Sequence, residues 1–186
     1  MIIDSQVHCY EANTPKRPWH SVPNWPPSAT GDEMVVEMDK LGIDGAIMVA
    51  VFSLYGYDAS YAVEAHAKHP NRFALVKPID PDNPAMPEVV ADWKKHPGTV
   101  GIRIMMTQEA KRKPDDPALG RVLREAVKHD FPVNMLCWGN IDAGIELVKR
   151  YPDVRFVIDH IGILQPRQPP APAQPWADLP KVLELA

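Results

Sequence analysis

Residues 99–137 read TVGIRIMMTQEAKRKPDDPALGRVLREAVKHDFPVNMLC, and they contain one complete strand–helix–strand unit. Thr99 to Met105 is a β-rich apolar run interrupted only by Arg103. Pro117 to His129 places Leu119, Val122, Leu123, Ala126 and Val127 on one face, the spacing of an amphipathic helix. Pro132 to Cys137 then returns as a second apolar strand. Continuous apolar strands of this kind suit a sheet buried on both faces, with the helix packed against it.

The same alternation extends in both directions. Upstream, Met1 to Val7 reads as a strand and Asp32 to Leu41 as a helix closed by Gly42, a residue able to take positive φ. Ala46 to Val51 (AIMVAV) is a strand, Asp58 to His69 a helix, Phe73 to Ile79 (FALVKPI) a strand, and Pro84 to Lys95 a helix with proline at its start. Downstream, Asn140 is placed to cap a helix running to Arg150, and Val154 to Ile158 (VRFVI) is a sixth strand. Asp178 is placed to cap a last short helix. Alternating strands and helices predict a parallel sheet wrapped by helices. Two architectures satisfy that pattern: an open doubly wound sheet, and a (β/α)8 barrel short of its last units. A closed barrel takes roughly 250 residues, and this chain has 186. No Gly-x-Gly-x-x-Gly follows the first strand and no phosphate-binding Gly-Lys-Ser/Thr loop is present.

Composition narrows the function classes. The chain is 45% hydrophobic and 24% charged, as expected of one soluble globular domain. Lys and Arg number 20 against 24 Asp and Glu, so no basic surplus points to nucleic acid or an anionic membrane. The opening Met1-Ile2-Ile3-Asp4 lacks a positive n-region, and no apolar stretch approaches the length of a membrane span. Two cysteines, Cys9 and Cys137, make no disulfide framework and fit a reducing cytoplasm. The 21 prolines concentrate in Pro15 to Pro27 and Pro166 to Pro180, which read as long loops.

In a barrel, chemistry sits at the C-terminal ends of the strands. Strand alternation puts Asp4, Gln6 and His8 on one face, with His8 at the end of the first strand. Such a histidine is either a metal or substrate contact or simply hydrogen-bonded at a strand end. The sixth strand runs into Asp159-His160. Two neutral imidazoles from separate strands suit Zn²⁺, which activates water, with a carboxylate as base. Arg103, between apolar neighbours, either grips a substrate carboxylate or makes a structural ion pair. Lys77 either joins it in favouring an anionic substrate or runs out to solvent. Ser53, Tyr55 and Tyr57 after the second strand, Trp138 and Asn140 after the fifth, and Trp19, His20 and Trp25 in the first long loop can wall a pocket, or only pack. Cys9 faces away from His8, as adjacent strand residues do, and is no nucleophile.

The segments IIDSQVHCY (2–10), RFALVKPIDP (72–81), VGIRI (100–104) and VIDHIG (157–162) resemble the amidohydrolase-2 family of TIM-barrel proteins, in the family's order and over essentially the whole chain. The resemblance implies a barrel present as about six β/α units, in a single domain over residues 1–186. It implies a hydrolase, with lactonases and decarboxylases of cyclic acids as the nearest kinds. The family's first-strand His-x-His pair falls on Gln6 and His8, and its sixth-strand histidine on His160. The stretch where it often has a fifth-strand histidine is Met135-Leu136-Cys137-Trp138. Its eighth-strand aspartate, metal ligand and base, has no counterpart among these residues. Glutamine is a poor Zn²⁺ ligand, so the resemblance points to lactone or ester hydrolysis of a small cyclic anionic acid, with the metal optional.

The expected catalytic residues are therefore His8, His160 and Asp159. Gln6, Lys77, Arg103, Trp138 and Tyr55 are expected to bind substrate, and His8 and His160 to hold Zn or another divalent metal if one is used. A decarboxylase of the same family is the alternative. A catalytically inactive barrel fragment or assembly partner is another, because an unfinished barrel exposes sheet edges that invite pairing, as in a homo-oligomer.

Overall fold

In a computed structural model, the structure describes residues 1–21, 24–163, 173–174 and 176–185. Most of the second proline-rich loop lies outside them. The strands are β1 (Ile3–Val7), β2 (Gly45–Val49), β3 (Phe73–Pro78), β4 (Thr99–Met105), β5 (Val133–Leu136) and β6 (Phe156–Ile158). The helices are α1 (Gly31–Leu41), α2 (Phe52–Tyr55), α3 (Ser60–Lys68), α4 (Met86–Lys95), α5 (Pro117–Lys128), α6 (Ile141–Arg150) and α7 (Leu179–Leu183). The chain divides into two compact units, Met1–Asp80 with Ala91–Gly101, and Pro81–Val90 with Ile102–Ala186.

In the first unit β1, β2 and β3 lie side by side and parallel. The start of β4 follows, with the Leu75 N–H donating to the Gly98 carbonyl at 2.8 Å. In the second unit β4, β5 and β6 are again parallel and in chain order. A doubly wound sheet reverses its strand order at a switch point; here every strand pairs with its predecessor. The fold is α/β, with six β/α units in the order of a TIM-like barrel. Among the described residues no helix is long and apolar enough to cross a membrane.

The helices form where the spacing predicts. Thr30 and Glu33 close a reciprocal capping box at the start of α1, and Gly42 ends that helix in the left-handed conformation. Asp116 caps α5 through the Ala118 N–H, with Pro117 in the first turn. Asn140 does stand at the head of α6, but its side chain makes no cap. Its amide instead donates to the Met106 carbonyl at 2.9 Å, tying the end of β5 to the end of β4. Asp178 likewise heads α7 without a side-chain cap.

One expectation about faces fails. Asp4 pairs with Ala46 and Val7 with Met48, so β1 spends three steps where β2 spends two. This β-bulge breaks the alternation. Asp4 and Val7 fall in phase, and His8 takes the opposite face from Asp4.

The first proline-rich loop is packed rather than loose. Tyr10 and Ala29 form an antiparallel bridge. Arg17 is buried against Glu11 and against Glu64, the latter at 2.8 Å. Trp19 packs with Tyr10, Val51, Leu54 and Tyr55.

Candidate functional site

The first unit carries His8 just past the end of β1. Its Nδ1 lies 2.7 Å from the Val49 carbonyl. A carbonyl only accepts, so Nδ1 carries a proton, which in the neutral ring leaves the lone pair to Nε2. This is the tautomer that lets a histidine accept a proton or bind an electrophile through Nε2. The Gln6 N–H donates to Asp4 Oδ1 at 3.0 Å inside the bulge, which stabilises the kink that aims His8.

Two other expected residues of this unit have different surroundings. Tyr55 is buried in the aromatic cluster, and its hydroxyl accepts from the Glu11 N–H at 3.1 Å and donates to the Glu11 carbonyl at 3.2 Å. Its phenol is thus committed to holding the first loop. Lys77 shares a strand face with Phe73, whose ring lies beside Gly31 of helix α1, so that face meets the helices. The Lys77 ammonium lies 5.8 Å from the centroid of Trp93 on α4. Burial pulls its pKa below the usual lysine value, partly opposed by the charge of Asp58. Cys9 is buried with its pKa pushed up to about 12, which removes it as a nucleophile.

The second unit brings the most chemistry together. Arg103 on β4 and Asn134 on β5 are direct partners in the parallel register. Asp159 follows β6 immediately. Arg103 Nε donates to Asp159 Oδ2 at 2.6 Å, and Asn134 Nδ2 donates to Asp159 Oδ1 at 2.8 Å. All three side chains are buried. Burial pulls the Arg103 pKa down and the carboxylate beside it pulls it up, so the guanidinium stays charged in its pair. Arg103 Nη2 is buried and, among the described residues, has no hydrogen-bond partner. Leaving a charged donor unmatched is costly, and such a group marks a place for an oxygen atom.

After Asp159 the backbone enters an unusual turn. His160, Ile161 and Gly162 have φ of 54°, 57° and 63°, all left-handed. For His160 and Ile161 this conformation is strained by about 1–2 kcal/mol each. The turn sets the His160 ring 5.5 Å from that of Trp138, tilted by 34°. Burial, and then the Arg103 charge, lower the His160 pKa, with Asp159 opposing them, so the imidazole is held neutral.

The expected residues thus separate. Arg103, Asp159, Trp138 and His160 belong to one unit, joined by Asn134, while Gln6, His8, Tyr55 and Lys77 belong to the other. Asn134 was missed by sequence reasoning; its signal was a lone amide inside the apolar run PVNMLC. For a metal, His8 offers a fitting Nε2, but Gln6 beside it is a weak donor. Among the described residues no three His, Cys, Asp or Glu side chains form a set able to hold a metal ion.

Comparisons with known proteins agree with this architecture. The structure resembles that of a probable 2-pyrone-4,6-dicarboxylic acid hydrolase from Acinetobacter baumannii with citric acid bound. The TM-score is 0.74 and the identity 18%, over 100% of this chain and 66% of that one. An amidohydrolase from Burkholderia multivorans with bound zinc matches with a TM-score of 0.69 and 21% identity, over 87% of this chain and 58% of that one. A 5-carboxyvanillate decarboxylase from Novosphingobium aromaticivorans, complexed with manganese and 4-hydroxy-3-methoxy-5-nitrobenzoic acid, gives 0.54 and 19%, over 69% of this chain and 49% of that one. At these identities the likeness shows the fold. The chain spans just under two thirds of the length of the first of these neighbours. The comparison with curated protein sequences returned no match. The amidohydrolase-2 family model, described as Amidohydrolase, matches residues 3–185, and on that match the chain belongs to this family.

Proposed function

We propose that this chain supplies the substrate-holding strands of a hydrolase that opens the ring of a small cyclic anionic acid, a lactone. The observation that carries the reading is Arg103 Nη2, a charged donor buried without a partner beside a fixed carboxylate. It is suited to receive one oxygen of an anionic or polarised carbonyl group. His160, held neutral beside Trp138, can donate a ring N–H to the same carbonyl oxygen. His8 is fixed through Nδ1 to the Val49 carbonyl at the end of β2.

Asp159 takes a different role from the one its sequence position first implies. Both of its oxygens already accept hydrogen bonds, so it holds Arg103 rather than activating water. The family resemblance gives the role of base to an eighth-strand aspartate, which has no counterpart among these residues. In the reaction, water adds to the lactone carbonyl carbon and gives its proton to that base. The ring C–O bond then breaks, and the ring oxygen takes up a proton to leave a hydroxy acid or, from a 2-pyrone, an enol that tautomerises to the keto acid. No step is routed through a metal.

The test is hydrolysis of 2-pyrone-4,6-dicarboxylate, the substrate named for the Acinetobacter neighbour, together with a panel of other carboxylated lactones. Ring opening that falls at least about a hundredfold in Arg103→Met supports the reading. Release of carbon dioxide from a cyclic acid, with no ring opening, replaces it with the decarboxylase reading. No turnover of either kind favours an inactive barrel or assembly partner.

A further inference from the structure

An amide in the middle of β5 is not needed for packing. Val133, Met135 and Leu136 around it are buried and apolar. A leucine has the same branched outline and avoids the cost of burying a polar group. What leucine cannot do is donate. The Asn134 amide occupies Asp159 Oδ1 at 2.8 Å, while Asp159 Oδ2 accepts from Arg103 Nε at 2.6 Å. A carboxylate held by one oxygen turns readily about its terminal torsion. Held by both, it is locked. The guanidinium is planar and rigid, so fixing Nε fixes where Nη2 points.

We propose that Asn134 is a positioning residue: by clamping Asp159 it fixes the unpartnered Nη2 of Arg103 in one place, ready for a single substrate oxygen. This rests on the reading of Arg103 as the substrate-holding donor. With Nε taken by Asp159, the Nη groups of Arg103 are what it has left for a substrate oxygen. The oxygen it holds is one whose charge grows during the reaction, and its placement therefore acts on turnover more than on binding.

The experiment uses Asn134→Leu, with Asn134→Ala as a second variant in case leucine disturbs the fold, and folding of each is checked by circular dichroism. The first measurement needs no substrate. It is the rate of solvent exchange of the Arg103 Nε–H, followed by ¹⁵N NMR and assigned by its loss in Arg103→Lys. The clamp predicts slow exchange in the parent and exchange at least about tenfold faster in a folded variant. An unchanged rate overturns the proposal, whatever the enzyme turns over. The second measurement is hydrolysis of 2-pyrone-4,6-dicarboxylate. The proposal expects kcat to fall about a hundredfold, the usual penalty for an ångström of misplacement, with KM changed less than about threefold. A folded variant with the parent's kcat overturns it. If the parent protein does not open this ring, the functional reading fails by itself and the exchange rate alone decides the role of Asn134.

Discussion

Asp159 sits between a cation and an amide, and that placement governs its removal. Asp159→Asn keeps the shape but leaves the Arg103 guanidinium buried without a counter-charge. The expected loss is about 3–5 kcal/mol, read by urea denaturation. Removing both charges with Arg103→Met and Asp159→Leu together should cost less than Asp159→Asn alone, because no orphan charge remains. His160 titrates in the same environment. Its folded pKa lies below the ordinary imidazole value, so the unfolded chain binds the proton first as pH drops. The stability that this histidine contributes is present above about pH 6.5 and is lost as pH falls towards its folded value. NMR of the His160 ring should show a midpoint below that of a free imidazole, and His160→Phe should flatten the acid side of the stability curve. A midpoint at or above the ordinary value contradicts the account. That β1 and β6 each stop close to a histidine was legible, because apolar runs mark where those strands end. The facing of Asp4 was not, because neither Ser5 nor Gln6 marks the bulge. Tyr55 and Lys77 were misjudged on direction: a side chain's position along the chain does not say whether its partner is the loop, the helix layer or the mouth of the fold.

At the scale of elements, the β/α order and most boundaries were readable to within one or two residues, since apolar runs and 3.6-residue spacing survive in each segment. The one-turn helix α2 was not, because four residues are too few to show a period. Asn140 illustrates a second limit. A good capping residue type still chooses the best acceptor or donor nearby, and the Met106 carbonyl was closer to its need than the helix end. The junction into β4 depends on Gly98, which has φ of 79°. A Cβ there would lie 2.2 Å from Cε1 of His66. That ring cannot easily give way, because its Nδ1 is bound 2.7 Å from the Phe73 carbonyl in the core. Gly98→Ala should therefore destabilise the protein by about 3 kcal/mol, combining left-handed strain with overpacking. A loss under about 0.5 kcal/mol by urea denaturation would show that the His66 ring is not fixed as described.

For the molecule as a whole, strand order separated the two architectures that composition left open. A doubly wound sheet and a barrel share the same alternation, and only the pairing of each strand with its predecessor distinguishes them. The side chains singled out divide between the two units, His8 in one and Arg103, Asn134, Asp159 and His160 in the other. The most direct test is ring opening of 2-pyrone-4,6-dicarboxylate by the protein, compared with Arg103→Met. The account predicts a ring-opened acid formed with one water and no carbon dioxide, its enol passing to the keto form, at a rate at least about a hundredfold lower in the variant. Equal rates in parent and variant, or carbon dioxide as the product, would contradict it.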